Sequence, residues 1–263
     1  MSNLRKCSFS QLFHLSVARV MTYELTLAVA YIHSRGFAHG DIHLRNVLVL
    51  PRNSIDKLSV AEFREKFGAP DIYPIKREDG RPLTPNVPAT ATVPLYMGKR
   101  AKTFTIQDAR IQLSDFGEAF SPAEKVRLGR DCHTSADFRP PKAHFEPNAP
   151  LSFSSDVWSL ATAIWDIVGM QALFSSALYT EAEVICQITD CLGPFPSDWY
   201  NNWNDRSRCF GDEGKPSKGR HVWPGIQGAL SECVQDFRRK SDVGVFRSDE
   251  EKGFLDMMTQ MLK

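Results

Sequence analysis

Apolar residues between Leu12 and His33 recur at helical intervals: Val17, Met21, Leu25, Ala28 and Ile32 are separated by four, four, three and four positions. That spacing puts all five on one helix face. Val20, Leu27 and Tyr31 widen the stripe, so the helix is expected to be buried around most of its circumference. Gly36 supplies the left-handed residue that commonly follows a helix end. Two short apolar runs then read as strands. Val47-Leu48-Val49-Leu50 is closed by Pro51, and Ile111 and Leu113 alternate with polar residues ahead of Asp115.

The strands are separated by an insert, residues 51–110, far longer than hairpin loops of roughly 2–5 residues. Ser59-Val60-Ala61-Glu62 is a capping box that opens a short helix, ended by Gly68 and Pro70. Pro70, Pro74, Pro82, Pro85, Pro88 and Pro94 predict an extended, peripheral stretch after it. Further on, Ser154-Ser155-Asp156 caps a helix over Val157–Val168 that is apolar on nearly every side and stops at Gly169. A helix of that kind belongs at the centre of a domain. Amphipathic helices follow at Glu181–Leu192 and Glu250–Leu262, with an irregular connection between Gly193 and Gly225. The pattern is that of a mainly α fold with one short β-hairpin, and it holds no internal repeat.

Composition narrows the function classes. With 42% hydrophobic and 24% charged residues, the 263-residue chain is an ordinary globular protein. Its 32 Lys+Arg balance 31 Asp+Glu, so it lacks the basic surface that nucleic-acid binding requires. The clusters Lys99-Arg100-Ala101-Lys102 and Arg238-Arg239-Lys240 read as solvated surface. Cys7, Cys132, Cys186, Cys191, Cys209 and Cys233 form no C-x-x-C pair and no zinc spacing with His. Arg5 and Lys6 lead into a polar segment and not a signal peptide, and Asp166 interrupts the apolar region Val157–Tyr179. Reduced thiols, a cytoplasmic or nuclear location and no membrane contact are expected.

The chemistry gathers at the ends of the two strands. Asp41 and Asn46 stand five positions apart before the first, and Asp115 follows the second. An Asp able to accept a hydroxyl proton, with an Asn and a second Asp offering oxygen ligands, suits Mg²⁺ and phosphoryl transfer from ATP.

With these residues in view, the chain resembles the large lobe of a eukaryotic serine/threonine protein kinase over essentially its whole length. His39-Gly40-Asp41 through Asn46 matches the catalytic loop, and Asp115-Phe116-Gly117 the metal-binding motif. Phe138-Arg139-Pro140-Pro141 stands where the activation segment, residues 115–141, ends, and Asp156-Val157-Trp158-Ser159-Leu160 resembles the start of the central helix. The large insert and Gly193-Pro194-Phe195-Pro196 are similar to SR-protein kinases, specifically fungal relatives. The resemblance implies that Asp41 is the catalytic base, that Asn46 and Asp115 ligate Mg²⁺, and that Leu48 forms part of the adenine floor. It also implies that Asp156 holds the catalytic-loop backbone and that Ser135 touches Asp41. The implied substrate is a protein, with Arg/Ser-rich proteins as the class that the subfamily suggests.

Several positions depart from the family pattern. Gly40 replaces the Arg that gathers a phosphorylated activation loop, His43 replaces the Lys facing the transferred phosphoryl group, and Lys142 replaces a Glu. An unperturbed imidazole is mostly neutral at pH 7, so His43 is expected to stabilise charge less than Lys would. No Gly-rich loop with a strand Lys, and no partner Glu for that Lys, occurs in these residues, and the last kinase helix with its Arg is missing. A fragment without its small lobe, inactive alone, is the expectation. Two other readings share the same residues: a non-catalytic binding module derived from a kinase, and a small-molecule phosphotransferase of the aminoglycoside-kinase type.

Overall fold

A computed structural model describes residues 11–50, 55–93, 99–177, 179–211 and 215–263. The expectations resting on Arg5, Lys6, Cys7, Pro51 and Pro94 lie outside the described residues. The fold is mainly helical, with two small antiparallel sheets. Helix α1 (Leu15–Ser34) ends with Gly36 at φ +82°, as expected. It buries Val17, Met21, Leu25 and Ile32 and packs most extensively against α4 (Phe153–Val168). Its length and hydropathy would suffice to cross a membrane, yet the buried face is taken up by the core. The other face corrects the expectation of near-complete burial: Leu27 is 48% and Tyr31 68% exposed. α4 is the centre of the domain, with eleven of its sixteen residues buried. It starts one turn earlier than expected, because Ser152 and not Ser154 is the cap.

Strand β1 (Val47–Val49) pairs antiparallel with a strand at Ile111–Leu113, Val47 opposite Leu113. Within the insert, α2 (Val60–Phe67) carries the expected Ser59–Glu62 capping box and ends at Gly68. The Pro-containing stretch folds into a second hairpin, β2 (Ile72–Pro74) against β3 (Thr90–Thr92), so the Ile111–Leu113 strand is β4. No described residue from 55 to 93 is buried. Residues 99–110 behave differently and are not peripheral. Ala101, Phe104, Asp108 and Ala109 are buried, and the Phe104 ring lies edge-on to Phe13 at 5.3 Å. Lys99 sits 2.6 Å from Asp108, and Lys102 donates to the Ser241 carbonyl at 2.8 Å. This basic cluster is therefore only partly solvated.

The C-terminal half adds α3 (Pro141–Phe145), α5 (Glu181–Leu192), α6 (Ser197–Asn201) and α7 (Arg206–Cys209). A helical run then passes from α8 (Ile226–Ala229) through a π-helical segment (Leu230–Gln235) into α9 (Asp236–Ser241), before α10 (Ser248–Met261). The sequence pattern did not predict that run. The thiol expectation is also corrected: Cys186 of α5 pairs with Cys209 of α7, 23 residues apart with Cα atoms separated by 6.1 Å, while Cys132, Cys191 and Cys233 are free. Contrary to a solvated Arg238-Arg239-Lys240 cluster, Arg238 is 0% exposed. Its guanidinium donates to the carbonyls of Gly244 (2.9 Å), Val168 (2.9 Å) and Phe13 (2.8 Å). Burial pushes its pKa down to about 10, so it remains a cation at neutral pH.

Replacing Arg238 by Met should lower stability by about 3 kcal/mol or more, because buried carbonyls would lose their donors. Urea unfolding reads this out; a loss under about 1 kcal/mol would show that they find other donors.

The Lys99 ammonium and the Thr105 backbone and hydroxyl hold the Asp108 carboxyl down at about 2, against an ordinary 3.8. A carboxyl whose pKa is lower folded than unfolded stabilises above its unfolded value, and loses that stabilisation as pH falls through the folded one. Between about pH 4 and 2 the protein should thus lose about 1–2 kcal/mol that an Asp108→Asn variant, weaker at neutral pH, no longer has to lose. Identical acid limbs in the two urea series would refute this.

Candidate active site

The loop between α1 and β1 is held from below by α4. Asp156, 1% exposed, accepts the His39 N–H at Oδ2 (2.6 Å) and the Gly40 N–H at Oδ1 (2.8 Å). His33, in the last turn of α1, donates Nε2–H to the same Oδ2 at 2.9 Å. His39 is fully buried; its ring donates from Nε2 to the Ser114 carbonyl (3.1 Å) and accepts the Asp41 N–H at Nδ1 (3.3 Å). One imidazole thereby ties this loop to the residue before Asp115, and it also packs on the Phe116 ring at 4.9 Å.

Within the loop, the Asn46 side-chain amide donates to the Asp41 carbonyl (3.0 Å) and to Asp41 Oδ2 (3.2 Å). His43 Nε2 lies 3.3 Å from the same Oδ2. The His43 hydrogen bond, aided by Asn46 and opposed by burial, holds the Asp41 carboxyl below the ordinary carboxylate range. Asp41 is therefore ionised at neutral pH. His43 faces this carboxylate, so its donor is already engaged.

Asp115 is brought alongside by the β1–β4 pairing, which continues as Ser114 donates both N–H and Oγ–H to the Asn46 carbonyl at 2.9 Å. The chain turns sharply there. Asp115 adopts φ 65°, ψ 70°, a left-handed conformation that Asp tolerates better than most residues, and a short 3₁₀ turn, Phe116–Glu118, follows. Asp115 is exposed, and its carboxylate makes no hydrogen bond or ion pair to a described residue. The Asn46 Oδ1 is likewise uncommitted, since both bonds of this amide use Nδ2. Two free oxygen ligands beside an ionised carboxylate fit Mg²⁺ chemistry. Among the described residues, no group of three or more His, Cys, Asp and Glu is placed to hold a metal. Leu48, on β1 opposite Gln112, is 46% exposed.

Ser135 does not occupy the place expected of it. It is exposed, none of its side-chain atoms hydrogen-bonds a described residue, and it lines a cleft of about 460 Å³ with His43, Arg45 and Asp137. Its neighbour Thr134, 2% exposed, makes the contact instead, donating Oγ1–H to the Gly40 carbonyl at 2.8 Å. The sequence shows two adjacent hydroxyls and no signal to choose between them. Lys142 is exposed, 3.8 Å from Glu146.

Arg127 is a residue that sequence reasoning missed. Its guanidinium donates to the Glu118 carbonyl and carboxylate and to the Asp131 carbonyl. This ion pair, with His133 adding to it, holds the Glu118 carboxyl below its usual range. Gly40 lies directly beneath at φ +79°; a Cβ there would come 2.7 Å from the Glu118 oxygen and 3.4 Å from Arg127 Nη1. A cation thus does reach this place, supplied by segment 115–141 itself. The chain matches no protein-family model, and no curated protein is significantly similar to it in sequence.

Gly40→Ala should cost about 1–3 kcal/mol, since a positive φ and a backbone clash act together. The companion Gly36→Ala has a similar φ with open space around the Cβ, so it isolates the conformational part. Equal losses in thermal unfolding of the two variants would show that the Glu118 contact is not a constraint.

Proposed function

We propose that the chain carries the catalytic half of an ATP-dependent serine/threonine protein kinase, transferring a phosphoryl group to a protein hydroxyl. The observation that carries this reading is the division of labour among three neighbouring side chains. Asp41 is ionised and oriented by two donors, whereas Asn46 Oδ1 and the Asp115 carboxylate are uncommitted. Asp41 would orient the substrate hydroxyl and take its proton; Asn46 and Asp115 would hold Mg²⁺. MgATP supplies the transferable phosphoryl group and neutralises its charge, and the residues position rather than react. His43 would act mainly by fixing the Asp41 carboxylate. The family-level resemblance suggests Arg/Ser-rich substrates.

An apolar cleft of about 720 Å³ lies beside the site, lined by Leu27, Tyr31, Phe37, Ile111 and Phe116. Leu27, Tyr31, Phe37 and Phe116 are each close to half exposed or more. We propose that a nucleotide-covering small lobe, on another segment or another chain, packs here and that phosphotransfer requires it.

Titration of a fluorescent ATP analogue into the 263-residue chain should show Mg²⁺-dependent binding, weakened about tenfold or more by Asp115→Ala. With an Arg/Ser-rich peptide, turnover should stay far below the usual range of roughly 1–100 per second. Binding that ignores both Mg²⁺ and the substitution would sink the kinase reading, and phosphorylation of aminoglycosides would favour the small-molecule alternative.

A further inference from the structure

On the opposite side of α3 from the candidate active site's segment lies a second cleft, of about 700 Å³, whose chemistry the phosphotransfer reading does not use. Its wall is a packed aromatic group. Phe145 stacks on Trp199 (centroids 5.1 Å apart, planes 18° apart) and meets Trp203 edge-on at 6.0 Å. Its charge is of one sign. Glu146, Asp198 and Asp205 line it, no Lys or Arg does, and the single lining His144 is engaged by Glu181 at 3.1 Å. These carboxylates are not equivalent. Glu146 accepts the Trp199 Nε1–H at 2.9 Å and Asp205 faces Arg208 at 3.1 Å. The Asp198 carboxylate is exposed and has no partner among the described residues. Trp203, 5% exposed, is part of the lining, and its Nε1–H is buried without an acceptor.

An aromatic wall beside unpaired carboxylates repels anions and suits a flat, weakly hydrated cation. Guanidinium can stack on an indole face while its N–H fork meets a carboxylate; a compact, strongly hydrated ammonium does this less well. A donor left without an acceptor adds a use for a carbonyl oxygen, which a peptide backbone brings. We propose that this cleft binds an arginine side chain of a partner polypeptide, with Asp198 as the free counter-charge and Trp199 as the stacking face. The site is separate from Asp41 and Asp115, and it needs neither nucleotide nor turnover.

The test is calorimetric titration of the full chain, without nucleotide and at low ionic strength, with three short peptides: alternating Arg-Ser, Lys-Ser and Glu-Ser. The Arg-Ser peptide should bind, the Lys-Ser peptide more weakly, and the Glu-Ser peptide not at all. Asp198→Lys should weaken Arg-Ser binding about tenfold or more. Asp198 is exposed in a short surface helix, so an unchanged unfolding curve is expected for that variant. Failure of the parent chain to bind, equal affinity in parent and Asp198→Lys, or Lys-Ser binding as tightly as Arg-Ser would each overturn the proposal. Because no phosphotransfer is measured, none of these outcomes bears on the kinase reading.

Discussion

Asp156 sits in the first turn of α4 with its carboxylate out of water, where two backbone N–H groups and one imidazole converge on it. Charge-assisted hydrogen bonds of this sort are stronger than neutral ones, and a buried carboxylate left without them would be costly. The consequence is positional. α4 is the most deeply buried helix, so its first turn is among the least movable points in the domain. His39 and Gly40 inherit that rigidity, and through them so do Asp41 and Asn46. His39 passes it on to Ser114, and Ser114 to Asp115. Every oxygen proposed to meet Mg²⁺ or the hydroxyl is therefore fixed, at one or two removes, to a single side chain in the core.

A second layer rests on Gly40. Its N–H is taken by Asp156, its carbonyl by Thr134, and the space a side chain would fill by Glu118 and Arg127. Three segments far apart in sequence thus meet at a residue without a side chain. The Arg127–Glu118 pair joins the beginning and the middle of segment 115–141 to each other. In this arrangement the segment's order comes from charges encoded in the chain, with no added phosphate needed to supply them.

Much of the fold was legible in the sequence because it is written in local spacing. The α1 stripe, the Ser59 and Thr180 capping boxes and the alternation at Ile111–Leu113 each need only a few adjacent residues to be read. The misreadings share a cause, which is that the deciding partner lies far along the chain. Arg238 stands in a run of cations that looks solvated, yet its acceptors are the carbonyls of Phe13, Val168 and Gly244. Phe104 is buried because Phe13 is there to meet it. Leu27 and Tyr31 fit the apolar period of α1, and nothing in periodicity says which arc of that stripe the core will cover. The run Ile226–Ser241 changes from α to π and back, so no single period describes it. At the site, Asp41, Asn46 and Asp115 were legible by type and spacing. Thr134 and Arg127 were not, because their roles exist only through contact with Gly40 and Glu118.

The strand pair that presents Asp115 is only three residues long on each side, yet about sixty residues separate its halves. Joining two ends across an unstructured span of that length, and not a five-residue turn, costs roughly 2 kcal/mol more in chain entropy. Three ladder positions make a thin margin against such a cost. The capped helix α2 and the β2–β3 hairpin shorten the free tether, and the buried stretch 99–110 anchors its far end to the core. Residues 55–93, which bury nothing, thus still influence the site through the number of conformations they deny to the chain around it.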